Sequence, residues 1–318
     1  MNLHENKKLF SDAVLAASEQ LCISPVYVEK DYWITRSLKF LAQSTIAITA
    51  VLKGETSLSK GYKIGSRFSE DIDIAICNSD IVTGNQLKTL MKRIAKEMTF
   101  GMEEVDFPGV TSKGSRYYKA MYTYPNVLGK AVNRAEHIGH LMVKINGFAN
   151  SQPYVSKEIE CFISVFLRAV GSKEIIEEYG LAPFALNVLD KRQTLIEKLA
   201  SLIRFSFSDN YIYDMVAKIR HFYDLYFLMQ DEECDIYIAS ERFRSDFATL
   251  LEHDRAIFDK PEGWNSREIG ESPLLKDFAG VWASLKETYQ RELPALTCSE
   301  IPQENDVAES FKMLLSQI

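Results

Sequence analysis

The chain has 318 residues, of which 46% are apolar, and a formal net charge of −7. This length and apolar content allow a sizeable buried core, in one large domain or in two of ordinary size, and are atypical of a disordered protein. The negative charge argues against a protein coated in nucleic acid, although it does not exclude a local basic patch.

Membrane and secreted proteins are disfavoured by the apolar pattern and by the cysteines. No stretch approaches the roughly 20 apolar residues of a membrane span, and the N-terminal MNLHENKKLF lacks the apolar region of a signal peptide. An odd number of scattered cysteines without a CxxC motif favours neither a disulfide framework nor a zinc site. We therefore expect a soluble protein in the cytoplasm. The cysteines are Cys22, Cys77, Cys161, Cys234 and Cys298.

Two helices are predicted at the start of the chain. Apolar residues at helical spacing indicate a helix over residues 7–22, and Ser24-Pro25 is typical of the start of a second one. Asp31 stands at a position that completes the apolar stripe of this second helix, so its carboxylate is predicted to face inward. It could be a structural residue, bonded to backbone or to Lys30 or Arg36, or it could assist a metal site.

A strand is predicted over residues 45–53, followed at Gly54 by a turn and a short helix. The next stretch, RFSEDIDIAI (67–76), alternates with a period of two, which puts Asp71 and Asp73 on one side and the isoleucines on the other. The two aspartate Cα atoms would lie about 6.5 to 7 Å apart, so both carboxylates can converge on one small ion. Carboxylates this close need a compensating cation, and oxygen ligands favour Mg²⁺, with a phosphate ester supplying further oxygens. A solvent-facing edge strand would explain the tripeptide equally well.

Basic and aromatic residues are interleaved between residues 113 and 134. On a strand, Tyr118, Tyr122 and Tyr124 would share one face. The segment is therefore either an aromatic core edged with solvated lysines or a surface for phosphates and unstacked bases, which suits RNA. Its basic residues are Lys113, Arg116, Lys119, Lys130 and Arg134, and Glu136 follows them.

The second half of the chain has a helical pattern. Lys198 lies beside the apolar face of one predicted helix, where it could reach a domain interface or extend along apolar surface to water. In the next helix Asp224 follows Arg220 by four residues, which an ordinary ion pair would explain. The acidic region from about 231 to 318 is typical of a closing scaffold.

Four segments, taken together, resemble the AbiEii/AbiGii family of nucleotidyltransferase-like toxins. They occur in the family's order: VYVEKDYWITRSL (26–38), LKGETSLSKGYKIGSRFSEDIDIAI (52–76), PFALNVLDKRQTLIEKLASLIRFS (183–206) and KIRHFYDLYFL (218–228). The resemblance implies an α+β fold, with a polymerase-β-type nucleotidyltransferase domain (1–185) of mixed sheet and flanking helices and a helical C-terminal domain (186–318).

The resemblance also implies a function. It is that of a Mg²⁺-dependent nucleotidyltransferase, the toxin of a bacterial toxin-antitoxin or abortive-infection system, which moves a nucleotide from an NTP to a hydroxyl. In some related toxins the acceptor is the 3′ end of tRNA. A cognate antitoxin encoded nearby would be the protein partner, and no membrane is involved.

Functional residues follow from the resemblance position by position. Its glycine turn falls on Gly54 with Thr56 and Ser57, which would bind the nucleotide's phosphates, and its metal ligands fall on Asp71 and Asp73. Its catalytic lysine and aspartate match Lys198 and Asp224. Lys198 would pair with the triphosphate, and Asp224 would orient the lysine or activate the acceptor hydroxyl.

The sequence departs from the family pattern at two places. Glu55 adds bulk and negative charge where phosphates approach, although main-chain amides could still bind them. On the predicted strand HLMVKINGF (140–148), Lys144 and Asn146 stand where many enzymes of the wider fold carry a third carboxylate. Metal binding would then depend on two aspartates, with Asp31 or Asp224 as candidate helpers. These departures leave two alternatives open, a nucleotide-binding regulatory module without turnover and a phosphotransferase that moves the γ-phosphate.

Overall fold

The computed structural model describes residues 1–77, 83–107, 109–128, 139–297 and 299–318. These residues form two compact units. The first comprises 1–63 and 68–189, and the second comprises 64–67 and 190–318. The predicted boundary between domains 1–185 and 186–318 stays a prediction.

A mixed β-sheet runs through the first unit, as predicted. Its strand order is β3-β5-β6-β2-β1-β8-β7, with β4 beside β5. Strand β2 is parallel to β6 and β1 to β8, and the other pairs are antiparallel. The strands are β1 (Ala50–Lys53), β2 (Asp71–Ile76), β3 (Glu103–Val105), β4 (Ser112–Lys113), β5 (Tyr117–Thr123), β6 (His140–Asn146), β7 (Tyr154–Ile159) and β8 (Phe184–Leu189).

Helices flank this sheet. The two predicted N-terminal helices are confirmed, and the second begins at Pro25. The helices are α1 (Lys7–Leu21), α2 (Pro25–Gln43), α3 (Gly54–Thr56), which a π-helical segment (Ser57–Tyr62) continues, α4 (Gly84–Met98), α5 (Phe162–Ala169) and α6 (Lys173–Glu178).

The strand predicted from residue 45 begins later, at Ala50. Residues Ala47–Thr49 form a 3₁₀ turn, in which the Thr49 hydroxyl donates to the carbonyl of Ile46 at 2.7 Å. Sheet pairing starts only where Ala50 meets Ile76. Among the residues that the structure describes, no strand is in register with those before Ala50, so these β-branched residues follow the turn.

The two faces of the sheet differ in polarity. Ile72 and Ile74 are fully buried, and their neighbours in register on β6 are Val143 and Ile145, also fully buried. Helices α2 and α4 contact the sheet. The predicted alternation is confirmed, since the aspartates of β2 point to the opposite, partly open face.

The second unit is helical, as predicted for the C-terminal region. Its aromatic core is built around Phe222, whose ring centroid lies 4.7 Å from that of Phe311 and 5.4 Å from that of Trp282. The helices are α7 (Lys191–Phe205), α8 (Tyr211–Val216), α9 (Ile219–Met229), α10 (Glu232–Ile238), α11 (Glu241–Ile257), α12 (Pro273–Lys276), α13 (Phe278–Glu292) and α14 (Glu304–Leu315).

Two expectations from composition concern the whole chain. Among the described residues, no helix combines the length and apolar composition that crossing a bilayer requires. The four cysteines that the structure describes, Cys22, Cys77, Cys161 and Cys234, are free thiols, and Cys298 lies outside the described residues.

Candidate active site

A glycine turn follows the central strand β1. Lys53, the last residue of β1, lies opposite Asp73 in the antiparallel pair with β2. Gly54 has φ +70°, and a Cβ atom there would lie only 3.0 Å from Oδ2 of Asp73. Both the left-handed backbone and this close approach require glycine. The backbone of the turn therefore lies directly against one of the predicted metal ligands.

The hydroxyls of Thr56 and Ser57 hold the turn in place. Thr56 Oγ1 lies 2.8 Å from the hydroxyl of Ser69 and donates to the carbonyl of Asp71, while the Ser57 hydroxyl donates to the carbonyl of Gly54 at 2.6 Å. Both residues are buried. Thr56 thus fastens the turn to β2, Ser57 closes the turn on itself, and any contact with phosphate falls to the main chain.

Asp31 is held by a backbone group, as expected, and by a lysine that was not expected. Its carboxylate lies 2.5 Å from the ammonium of Lys60 and accepts the backbone N–H of Phe162 at 2.8 Å. Lys60 also donates to the carbonyl of Glu160 at 3.0 Å. Since Lys60 belongs to the π-helical segment after the glycine turn, this buried pair anchors that segment to α2. The expected bond to backbone is confirmed, and the cation that pairs with Asp31 is Lys60 instead of Lys30 or Arg36.

The two strand carboxylates converge on a cation supplied by the chain itself. Asp71 and Asp73 lie on the same face of β2, and Lys144 stands beside Asp73 in register on the parallel strand β6. The Lys144 ammonium lies 2.6 Å from Oδ2 of Asp71 and 3.9 Å from Oδ1 of Asp73. All three side chains are between a quarter and a third exposed. The cluster is open to a ligand and has a formal charge of −1.

Burial and mutual charge shape the titration of this cluster. Burial raises the pKa of Asp73 above its ordinary value, Lys144 opposes the rise, and the charges of Asp71 and Glu55 add to it. Burial alone would lower the pKa of Lys144, but the two carboxylates outweigh it and raise that pKa. Burial and the same carboxylates raise the pKa of Tyr117 on β5. Lys144 is therefore held as a cation.

The donor set fits a divalent cation of the hard, oxygen-seeking kind. Two partly exposed carboxylates already share one positive charge, so a metal ion can take the same position if the Lys144 side chain moves aside. No acidic residue stands on β6, so a third carboxylate is missing from that strand. Asp31 cannot supply one without leaving Lys60 buried and unpaired.

A second polar cluster lies in the helical unit. Asp224 on α9 accepts two hydrogen bonds from the Arg67 guanidinium, from Nε at 2.6 Å and from Nη2 at 2.7 Å. The ammonium of Lys198 on α7 lies 2.7 Å from Oδ2 of the same carboxylate. All three residues are buried. Lys198 is therefore ion-paired and does not extend to water.

Sequence reasoning missed Arg67 as a member of this cluster. It belongs to the segment Ile64–Arg67, which the fold assigns to the second unit. The available signal was its place in RFSEDIDIAI, four residues before Asp71. The structure thus gathers Gly54, Thr56, Ser57, Asp71 and Asp73 in the first unit, and Lys198, Asp224 and Arg67 in the second.

The aromatic segment between residues 113 and 134 is largely core. Tyr118 and Tyr122 are buried on the helix-covered face of the sheet, and Tyr124 stacks on Trp33 with ring centroids 5.3 Å apart. Tyr117 alternates to the face that carries the aspartates. The aromatic-core interpretation is right for three of these tyrosines. Lys130, Arg134 and Glu136 lie outside the described residues.

A protein-family model, described as nucleotidyl transferase AbiEii toxin of a type IV toxin-antitoxin system, matches residues 36–316. The chain belongs to the AbiEii family. It is therefore a nucleotidyltransferase toxin, and the type IV system implies an antitoxin partner and an NTP substrate. The match includes the glycine turn, both strand aspartates, Lys198 and Asp224, and it leaves Asp31 outside.

The chain is also similar to a toxin of known structure. The chain is similar to MenT4, a nucleotidyltransferase toxin from Mycobacterium tuberculosis H37Rv, at 16% sequence identity and a TM-score of 0.39, over 97% of this chain and 98% of that one. No curated protein matches the chain. Membership of the AbiEii family favours an enzyme with turnover over a module that only binds nucleotide.

Proposed function

We propose that this AbiEii toxin transfers a nucleotide from an NTP to a hydroxyl of RNA, with Mg²⁺ bound by Asp71 and Asp73. The observation that carries the proposal is the convergence of both carboxylates on one cation, Lys144, at distances of 2.6 and 3.9 Å. This position adjoins the backbone of Gly54. Because glycine has no side chain, a triphosphate can approach the main chain closely there. A divalent ion bound there would neutralise phosphate charge and polarise the α-phosphate.

The reaction is an in-line displacement at the α-phosphorus. The acceptor oxygen forms a bond to that phosphorus, the bond to the bridging oxygen breaks, and pyrophosphate leaves with the electron pair. The proton of the hydroxyl passes to water. The residues of the chain thus act by positioning the triphosphate and balancing its charge, as in phosphoryl transfer generally.

Lys198 is assigned to the triphosphate and Asp224 to orienting Lys198. One ammonium proton of Lys198 is directed at Asp224, at 2.7 Å, which leaves two for phosphate oxygens. Asp224 receives a bidentate guanidinium as well, so its oxygens are engaged by two cations. Both oxygens already accept hydrogen bonds, so neither is directed at an acceptor hydroxyl. Of the two roles predicted for Asp224, orientation therefore fits better than proton abstraction.

Lys144 takes the place of a third carboxylate. A site with two aspartates and one lysine carries less negative charge than a site with three carboxylates, and it favours one divalent ion over two. We therefore assign one bound metal ion to the site, with Lys144 supplying the second positive charge near the substrate.

The test is incubation of the protein with each labelled NTP, Mg²⁺ and total tRNA, the 3′ end of tRNA being the first acceptor to examine. Transfer of label with one or more nucleotides is expected, and mass spectrometry of the acceptor should show a nucleotide adduct. A gain of phosphate alone would show a phosphotransferase instead. The absence of any transfer with all four nucleotides and total cellular RNA would refute the proposal.

A further inference from the structure

A basic pocket with an aromatic rim lies in the first unit, away from the aspartates. Its volume is about 460 Å³, and its lining includes Lys92, Lys96, Lys113, Phe100, Tyr118 and Tyr122. Tyr118 and Tyr122 share the face of Ile72 and Ile74, so the pocket lies on the opposite face of the sheet from Asp71 and Asp73. It is therefore separate from the candidate active site.

Helix α4 supplies one wall of the pocket with a row of lysines. Lys88, Lys92 and Lys96 follow each other at intervals of four residues, which places them on one side of the helix about 6 Å apart along its axis. The opposite side is buried through Met91, Ile94 and Met98, among others. Because the apolar side of α4 is buried, the three lysines lie in a row on its outer side.

The pocket carries excess positive charge. Lys113 pairs with Glu104, which also lines the pocket, whereas Lys92 and Lys96 form no ion pair with a carboxylate in the part of the chain that the structure describes. Three lysines against one glutamate give a local charge of +2 in a chain whose net charge is −7. Such a local excess attracts an anion.

An exposed aromatic ring stands at the rim on a rigid turn. Phe100 is 69% exposed, although it is one of the larger apolar side chains. Its carbonyl accepts a hydrogen bond of 2.9 Å from the buried Arg36, and its ring meets Phe40 edge-on at 5.8 Å. A flat apolar surface that is held in place and left open to water is suited to stacking with a base.

The floor of the pocket offers hydroxyl groups. The Tyr118 and Tyr122 hydroxyls lie 2.6 Å apart, and Tyr118 also lies 3.4 Å from Glu104. Uncharged hydroxyls can both donate and accept, as base edges and ribose hydroxyls require. An acidic peptide would use the lysines but would gain little from Phe100 or from the two tyrosines.

We propose that this pocket binds single-stranded RNA, with the phosphates along the lysine row and an unstacked base on Phe100. The proposal rests on the proposed function, because it assigns the pocket to a part of the acceptor RNA remote from the reacting end. Its tyrosines lie on β5, which one strand, β6, separates from β2 in the sheet. Because the pocket and the aspartates lie on opposite faces, a bound strand reaches the aspartates by passing around an edge or an end of the sheet.

The test is fluorescence anisotropy with a labelled single-stranded RNA and with tRNA, at several salt concentrations, in EDTA and without NTP. The pocket variant Lys92→Glu/Lys96→Glu is compared with Lys7→Glu/Lys8→Glu, which makes the same charge change on exposed residues of α1. We expect at least a tenfold loss of affinity and a salt slope smaller by about 2 for the pocket variant only. Equal losses in both variants would overturn the proposal.

Phe100→Ala separates RNA from an acidic protein partner. RNA affinity should fall roughly fivefold or more, because a stacked base is lost, while binding of polyglutamate should not change. Unchanged RNA affinity in Phe100→Ala, or polyglutamate binding that depends on the lysines as strongly as RNA binding does, would overturn the proposal. Since the assay contains no NTP, failed RNA binding alongside intact nucleotide transfer would refute this inference alone.

Discussion

The Lys144 ammonium lies 2.6 Å from the carboxylate of Asp71 on the neighbouring strand. This lysine occupies the position where a divalent ion would meet both strand aspartates, and it stands where the wider fold often has a third acid. In the proposed metal site Lys144 would therefore compete with the metal ion, and it reduces the repulsion between Asp71 and Asp73.

Lys144→Ala should bind a divalent ion more tightly and transfer nucleotide more slowly. Removing a partly exposed competing cation should strengthen Mn²⁺ binding by up to about fivefold, measured by calorimetry without NTP. Transfer should fall because a positive charge near the triphosphate is lost. Lys119→Ala is the matched control, since Lys119 lies opposite Lys144 on β5. Weaker metal binding in Lys144→Ala would contradict this role.

Glu55→Gln should increase affinity for NTP. The charge of Glu55 acts on Asp73, whose pKa it raises, so it also repels an incoming triphosphate. Loss of one partly screened charge should lower the Kd for NTP by up to about fivefold, measured by calorimetry with Mg²⁺. Glu55→Gly removes the bulk as well and should bind at least as tightly. If both variants bind NTP more weakly, Glu55 is part of the binding site.

Arg67→Ala should destabilise the protein and impair transfer. It removes the bidentate partner of a buried carboxylate, and breaking a buried ion pair costs about 3–5 kcal/mol. Arg67→Lys should restore little, because an ammonium cannot make both hydrogen bonds. Chemical denaturation measures the change in free energy of unfolding. Loss of less than about 1 kcal/mol would show that Lys198 alone satisfies Asp224.

The face on which a strand residue lies is visible in the sequence, whereas its distant partners are not. The common face of Asp71 and Asp73 follows from the two-residue period of a strand, which is local and visible in the sequence. The bond between Arg67 and Asp224 joins positions 157 residues apart, and no periodicity carries that information. The inward position of Asp31 follows from the helical spacing of its own segment, which is also local. Its partner Lys60 is brought near only by the fold.

The alternation of residues along a strand also does not predict which face of the sheet helices will cover. Tyr118 and Tyr122 were predicted to share a face, and the choice between core and RNA surface depended on where α4 packs. Similarly, the apolar residues before Ala50 suit a strand, but a strand needs a pairing partner, and the described part of the sheet provides none in register before that residue. In both cases the structure depends on which distant element packs or pairs with the segment, and that is decided by the tertiary fold.

Glu29→Gln should stabilise the protein above pH 7 and have little effect near pH 4.5. Burial raises the pKa of Glu29 from 4.5 to about 7, against the N–H of Val127, which donates to it at 2.8 Å. Between pH 4.5 and about 7, Glu29 is protonated in the folded state and ionised in the unfolded state. The free energy of unfolding of wild type therefore falls as pH rises through this range, by up to about 3 kcal/mol.

The comparison of variant with wild type across pH isolates this effect. The pKa of His4 is lowered to about 4, mainly by burial, so its protonation favours the unfolded state and stability rises with pH between about 4 and 6.5. In wild type, the pH dependence from His4 opposes that from Glu29. The contribution of His4 is the same in both proteins, so it cancels when the variant is compared with wild type. A stability difference that is independent of pH would show that Glu29 titrates normally.

The most direct test of the account is Mg²⁺-dependent nucleotide transfer by wild type and by Asp73→Asn, measured with labelled NTP and tRNA over a Mg²⁺ titration. The account predicts saturable dependence on Mg²⁺ in wild type and a loss of at least about 100-fold in Asp73→Asn, because one of two metal-binding carboxylates is gone. Transfer that needs no divalent ion, or a variant as active as wild type, would contradict it.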